Sequence, residues 1–369
     1  MPSNFLRTEE VAFDRLIEGF DDGLVIAKGA DIYNIGSAQD QVNQGDKEWI
    51  PAPMISRSSD GFAATFGGVT DLAVPVSTGI HKHVAKSFTA KERRNQYAID
   101  KWFKSGKQTL SSEVNMALFR RAALYSSVFS KRTGAATGYD DVADIDTRLT
   151  RIGVPTDGRM AFYSSAEMNA MAGNLASRSE NTERSRTAYE RALVRSDIAG
   201  VDVYKNDLNL RLAAATGGAT TVNGANQRLT PSSTTTAASG ETENKDNRGM
   251  NLTVTAATYA NIKIGDAFTI AGVNEVHMIT KEDTGFPKTF RVIGKPSAGV
   301  IEIYPAIICD DGGAPTDADK EYKNVTATPA GAAPLTWLNT TAANMNPFFR
   351  KEALLLIPGT FTVDPDEGW

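Results

Sequence analysis

At 369 residues the chain exceeds one typical domain, and its 41% hydrophobic and 22% charged residues let it bury real cores, which excludes compositional disorder. A formal net charge of −5 argues against a protein that grips nucleic acid by neutralising phosphates, because that needs clustered Lys and Arg in excess. Cys309 is the only cysteine, so no intrachain disulfide forms and a reducing folding compartment is expected.

The first twenty residues lack the apolar core and small-residue cleavage site of a signal peptide. Thr8 offers an N-cap, and Val11, Leu16 and Ile17 follow at helical spacing. Glu9, Glu10, Asp14, Glu18, Asp21 and Asp22 line the other side, either as a solvated face or as a docking site for a basic partner. Gly29 to Gly45 is polar and glycine-punctuated. The prolines in Trp49-Ile50-Pro51-Ala52-Pro53 bar helix and central strand, so this stretch is read as extended. Ser56 to Gly61 is turn-rich, and Leu72, Val74 and Val76 alternate as a returning strand. The two strands predict a long flap that buries little of itself and needs a cover from elsewhere.

From Lys91 to Ser130 the apolar residues Ile99, Trp102, Phe103, Leu110, Val114, Ala117, Leu118, Leu124, Tyr125 and Val128 recur at three- and four-residue steps, the pattern of a long amphipathic helix. Gly106 marks a bend or a break in that helix. A continuous rod from Asn95 to Ser130 would be about 54 Å long, a spine rather than a core element. Gly134 to Asp144 reads as a glycine- and acid-rich connector. Beyond it a mixed α/β block is expected, with a strand over Arg159 to Ser164, helices over Ser165 to Leu175 and Thr182 to Val194, and a strand over Ile198 to Tyr204, closing near Leu212.

Thr216 to Gly240 is almost entirely Gly, Ala, Thr, Ser and Asn, which reads as a loop or linker. From Asn251 to Ile308 short alternating runs (Leu252 to Thr255, Ala267 to Ile270, Val276 to Ile279, Phe290 to Ile293, Val300 to Ile303) predict a small antiparallel barrel or sandwich. Low-complexity stretches at Asp310 to Asp319 and Thr328 to Pro334 lead out of it. Pro347 to Ile357 and Thr360 to Val363 resume the earlier character, which makes the β module an insertion. The apolar run Ala353 to Ile357 is too short to span a bilayer.

Little in the chain points to chemistry. His81-Lys82-His83 puts two imidazoles on one strand face, but His277 is the remaining histidine and no cysteine assists, so surface residues are the better reading. Asp310, Asp311, Asp317 and Asp319 lack the ligand alternation and closing Glu of a calcium loop. Acidic neighbours raise the Cys309 thiol pKa, against a nucleophilic role. With no phosphate cradle, nucleophile elbow, H-E-x-x-H or C-x-x-C present, the expectation is no enzyme, no cofactor and no metal.

Several motifs occur in a telling order: Trp49-x-Pro51, Asp60-Gly61-Phe62, Leu72-x-Val74-x-Val76-x-x-Gly79 and Phe88 before the long helix. Asp246-Asn247-Arg248, Leu252-x-Val254, Ile264-Gly265-Asp266-x-Phe268-x-Ile270-Ala271-Gly272-Val273 and Val300-Ile301-Glu302-Ile303-x-Pro305 follow in the β module. In these motifs the chain resembles major capsid proteins of tailed bacteriophages with the Hong Kong 97-type fold, and more closely the coat-protein family of the short-tailed phage P-22. The resemblance covers most of the chain. It departs at the end, where the family continues with further strands past the position of Pro358, so either further chain follows Trp369 or the sheet closes differently.

The resemblance implies an α+β fold with an N-terminal arm (1–35), an extended loop with flanking strands (36–90), a peripheral domain with the spine helix (91–145), an axial domain (146–213), an inserted Ig-like or telokin-like β-barrel (214–337) and a return to the axial and peripheral domains (338–369). It implies self-assembly through hexamers and pentamers into an icosahedral head, a virion location after synthesis in the host bacterial cytoplasm, and no membrane partner. The other implied partners are a scaffolding protein, a portal protein and packaged double-stranded DNA held without sequence-specific binding. Implied assembly contacts are Glu9, Glu10 and Asp14 toward the scaffold, Arg57 and Asp60 at the flap tip, and Glu241, Glu243, Lys245, Asp246 and Arg248 across a two-fold contact. The alternative is another phage structural or surface-layer protein built on the same kind of β module.

Overall fold

The computed structural model describes residues 25–33, 47–56, 62, 68–77, 82–89, 91–132, 134, 138–177, 199–206, 208 and 210–358. The acidic helix expected over Thr8 to Asp22, most of the flap tip, the helix expected over Thr182 to Val194 and the strand expected over Thr360 to Val363 lie outside the described residues.

Strand β1 (Asp31–Ile32) precedes the flap, whose strands β2 (Lys47–Pro51) and β3 (Ala73–Ser77) pair antiparallel with Trp49 opposite Pro75. A ribbon of two strands tolerates Pro51 and Pro75 because each strand has a free edge that asks nothing of a missing N–H.

Helix α1 (Gln96–Leu124) runs unbroken through Gly106, so it is about 43 Å long at 1.5 Å per residue. Asn95 caps it, its side chain accepting the Ala98 N–H at 3.3 Å. Gly106 faces inward, and a Cβ there would meet Val84 at 3.6 Å, which is ordinary contact. The helix is shorter than its periodicity suggests and stops at Tyr125. Beyond it the chain is taken up by a later strand: Phe129 N–H donates to Thr289 Oγ1 at 3.3 Å and Thr289 Oγ1 donates to Ser127 O at 3.0 Å. The buried stripe also differs from the apolar one. It runs Gly106, Ser111, Asn115, Leu118, Phe119 and Ala123, so small and polar side chains share the inner face.

The expected connector is replaced at Tyr139 by helix α2 (Tyr139–Arg151). Its acids are a helix start rather than linker composition: Asp141 accepts the Gly138 N–H at 3.0 Å, and Asp140 and Asp141 sit at the positive end of the helix dipole. Val142, Ile145 and Leu149 then bury against β4 (Arg159–Ser164), α3 (Ser165–Ser177) and β5 (Asp202–Asn206). β4 pairs parallel with β5 and antiparallel with β15 (Phe348–Arg350).

β6 (Leu210–Leu212) pairs antiparallel with β14 (Ala343–Met345), and between them lies the β module. Its first elements are β7 (Thr234–Thr236) and β8 (Thr242–Asn244), which form a hairpin. There follow β9 (Met250–Thr253), the short α4 (Ala256–Tyr259), β10 (Ala267–Val276), β11 (Asp283–Ser297), β12 (Val300–Tyr304), the short α5 (Asp317–Glu321) and β13 (Leu335–Trp337). The sheet order is β13-β10-β11-β12-β9. Thr220 to Asn223 joins its two edges: Val222 N–H donates to Ala333 O and Asn223 N–H to Thr253 O, both at 2.9 Å. Val222 is buried in the module core with Leu252, Phe268, Phe290, Ile301 and Ile307.

The expected linker over Thr216 to Gly240 is therefore a fixed part of the module. Its small residues have a steric reason at Gly217, where a Cβ would lie 2.4 Å from the Trp337 ring. Of the expected strand Val276 to Ile279, Val276 ends β10 and the rest is a turn, in which His277 Nδ1 accepts the N–H groups of Ile279 and Thr280 at 3.3 Å each. The expected loop over Asp310 to Asp319 ends in α5, capped by Thr316 and Asp319. Finally β16 (Leu355–Leu356) pairs parallel with β1, bringing the return segment back to Asp31 and Ile32.

Candidate assembly surface

Two ribbons stand out from the body. The flap is half-buried along β3 and buries Ile50 and Leu72, whereas every residue of the β7–β8 hairpin strands is exposed. Glu241 and Glu243 lie on the hairpin and make no ion pair among the described residues. Lys245 donates from Nζ to Thr230 O at 2.8 Å, across the root of the hairpin.

Asp246 and Arg248 are not free to reach outward, because they bind each other. Arg248 Nε lies 2.9 Å from Asp246 Oδ1 and Nη2 2.7 Å from Oδ2, a two-pronged arrangement, while the Arg248 N–H donates to Asp246 Oδ1 at 3.1 Å. Burial alone would raise the Asp246 carboxyl, but the bonds from Arg248 and the charges of Arg248 and Arg121 outweigh it and hold it below the ordinary aspartate value. The guanidinium of Arg121 on α1 lies 3.8 Å from the centre of the Tyr125 ring, and Tyr125 packs edge-on against Tyr304 at 6.1 Å. The end of the spine helix and the root of the hairpin thus form one cluster. Nothing in the spacing of Arg121, Tyr125 and Tyr304 announces it.

A second joint ties the module to the helical body. Arg291 on β11 donates to Ala123 O at the end of α1, and to Gly265 O at 3.1 Å. Burial lowers its pKa from the usual arginine range to about 10. Arg151 at the end of α2 pairs with Glu275 at 2.6 Å and lies over the Phe286 ring at 3.8 Å. Met278 N–H donates to Ile152 O at 3.0 Å.

Lys281, in the turn that carries Met278, bonds within the module, donating from Nζ to Lys323 O at 3.2 Å. Burial, reinforced by the Lys323 charge, lowers its pKa to about 8 from an ordinary 10.5. Between those values the unfolded chain holds a proton that the folded one has released, so this group makes stability rise with pH over that window. Lys281→Met is expected to raise the thermal midpoint at pH 7 and to flatten the rise toward pH 10.5 relative to the parent. Parallel melting curves for parent and variant across that window would contradict this.

Glu9, Glu10, Asp14, Arg57 and Asp60 lie outside the described residues, as does His81. His83 is exposed, and His277 is occupied by the two backbone donors of its turn. Among the described residues no His, Cys, Asp and Glu side chains gather into a group able to hold a metal ion. Cys309 is buried, and burial more than its acidic neighbours raises its thiol pKa. A cleft of about 770 Å³ opens between the end of α1, α2, α3 and β14. Its acids serve the fold: Asp141 pairs with Arg132 at 2.6 Å, and Glu167 accepts the Ser164 hydroxyl at 2.8 Å. No helix among the described residues is long and apolar enough to cross a membrane.

The hairpin, exposed along both strands, is the part of this surface that its own subunit leaves uncovered. The chain belongs to the family described as P22 coat protein - gene protein 5, whose family model matches residues 1–369. It is a major capsid protein that forms the phage head and resides in the virion. No curated protein matches the chain. Among solved structures, the CUS-3 coat protein I-domain is 34% identical over 34% of this chain and 99% of its own, with a TM-score of 0.25. A Mycobacterium phage Che8 chain is 11% identical, covering 92% of both chains with a TM-score of 0.36. A chain of the capsid of cyanophage P-SCSP1u is 11% identical over 90% of this chain and 87% of its own, with a TM-score of 0.32.

Proposed function

We propose that this coat protein builds an icosahedral shell of hexamers and pentamers, with the Hong Kong 97-type fold and an Ig-like or telokin-like β-barrel inserted at 214–337. The remaining parts are the arm (1–35), the extended loop (36–90), the peripheral domain (91–145), the axial domain (146–213) and the return (338–369). The observation that carries this reading is the pair of two-stranded ribbons: the β7–β8 hairpin is exposed along both strands and the flap is half-covered apart from the buried Ile50, so both find further cover on neighbours. The antiparallel pairing of β6 with β14 supports the insertion, since the chain comes back beside the strand it left.

The shell encloses double-stranded DNA without reading it, which suits a net charge of −5. Glu9, Glu10 and Asp14 meet a basic scaffolding protein before DNA enters, and a portal protein occupies one vertex. Synthesis takes place in the host bacterial cytoplasm. Electron microscopy of the purified protein, with and without its scaffolding protein, tests the whole reading. Closed polyhedral shells support it, tubes favour a different structural component, and a persistent monomer overturns it.

In the hairpin contact Glu241 and Glu243 face a neighbouring capsomer directly, with Lys245 and the Asp246–Arg248 pair holding the hairpin's direction. Each exposed ion pair is worth no more than about 1 kcal/mol, so the contact gains its weight by repetition over the shell. Reversal of either partner, Asp246→Arg or Arg248→Asp, places like charges at the root and is expected to give fewer or aberrant shells. Normal shells from both variants would remove this claim.

A further inference from the structure

The flap and the hairpin leave the body side by side. Ala73, the first residue of β3, forms a parallel bridge with Asp246, just past β8. Close by, the Tyr322 hydroxyl donates to Thr70 O at 2.8 Å, across the sequence from the module to the flap. Burial and the charges of Glu321 and Asp71 raise the Tyr322 pKa, which keeps that donor protonated.

Both limbs of the hairpin are rooted on one segment. Leu229 N–H donates to Ile307 O and Ala306 N–H donates to Arg248 O, each at 2.8 Å. The same segment carries the neighbours of Tyr322: Ile308 N–H donates to Asn324 Oδ1 at 3.0 Å, and Asn324 Nδ2 donates to Ala306 O at 2.7 Å. Arg228, beside Leu229, donates to Cys309 O at 2.7 Å and lies 3.5 Å from the fully buried Asp319 of α5.

We infer that residues 304–309, α5 and Tyr322 form one block that makes the flap and the hairpin a single lever, so that seating the hairpin on a second copy of this chain sets the direction of the flap. The inference rests on reading both ribbons as intersubunit contacts. A two-stranded ribbon has no core to fix its own direction, so its direction is set at the root. Here the two roots share one contiguous, partly buried set of hydrogen bonds, the kind of element through which a displacement travels. Tyr322 is a positioning residue in this scheme.

The test uses the full-length Tyr322→Phe variant, which keeps the ring and loses the bond to Thr70. In the unassembled subunit, amide exchange is expected to quicken about fivefold, the factor that one hydrogen bond's net contribution sets, at both roots. The reporters are the Ala52 amide, bonded to Leu72 O, and the Lys245 amide, bonded to Ser233 O, with Val292 in the module core unchanged. Quickening at Ala52 alone, or at neither root, overturns the lever. A second measurement combines Tyr322→Phe with Glu243→Lys and follows assembly rate. Non-additive effects support the lever and additive effects overturn it. If Glu243→Lys leaves assembly unchanged, the reading of the hairpin as a contact fails, and the exchange result decides the lever by itself.

Discussion

Arg159→Ala is expected to cost about 3–5 kcal/mol of stability, a large share of what a domain of this size has to spare. The Arg159 side chain is fully buried, although it is the first residue of a strand and a sequence reader would place it in water. Its guanidinium satisfies a ring of acceptors at the end of α2: Asp146 Oδ1 and O, Thr150 Oγ1 at 2.9 Å, Pro155 O at 2.9 Å and Val154 O. Truncation leaves all of them without their donor, and the lost desolvation cost of the arginine offsets only part of that. Arg159→Lys keeps the charge but loses the planar fork, so an intermediate loss is expected. Urea unfolding followed by tryptophan fluorescence is the measurement; an alanine variant with an unshifted midpoint would show that the acceptors are met by water.

Phe119→Ala is expected to cost about 3–5 kcal/mol as well, by leaving a cavity rather than unmet polar groups. Phe119 is 1% exposed and belongs to the cluster that gathers Ile26, Leu118, Phe162, Phe349 and Leu354. That cluster joins the segment before β1, the spine helix, the α/β block and the return segment, so its loss loosens the attachment of the N-terminal segment as well as the fold. Asn115, one turn earlier, accepts the Ile26 N–H at 3.0 Å, and Asp31 N–H donates to Leu354 O at 2.9 Å. Proteolysis near residue 25 should quicken in the variant together with the fall in unfolding midpoint. A fall in midpoint without quickened cleavage would place the cavity's effect wholly within the body.

The two positions show what the sequence displays and what it hides. The strand Arg159 to Ser164 is legible to the residue, and the flap is legible as a pair of strands whose ends lie one to three residues from those its prolines and alternating valines suggest. Most strands of the β module core carry the same signal, whereas β7 lies in a stretch that reads as linker and the expected strand after Val276 is a turn. The spine helix is legible as an element but not in its inner face, because Phe119 and Asn115 owe their burial to Ile26 and Phe162, far away in the chain. Helix α2 was obscured by its acidic start, although Val142, Ile145 and Leu149 keep helical spacing. The charged run from Glu241 to Arg248 is visible as a candidate contact. Its division into an exposed tip and a self-paired root is visible only in three dimensions, and Tyr322 lies far from Thr70 in sequence with no pattern to link them.

The pairing of β6 with β14 also bears on how such a gene can change. Because Leu212 and Ala343 face each other across one ladder, the ends of the whole excursion lie about one strand spacing apart, near 5 Å. A tight turn could bridge that gap, and so could any foreign domain whose own ends lie together. Exchange at this point would leave the strand order of the body unaltered, and its cost would lie in the joints it breaks, the bonds of Arg291 to Ala123, of Glu275 to Arg151 and of Thr289 to Ser127.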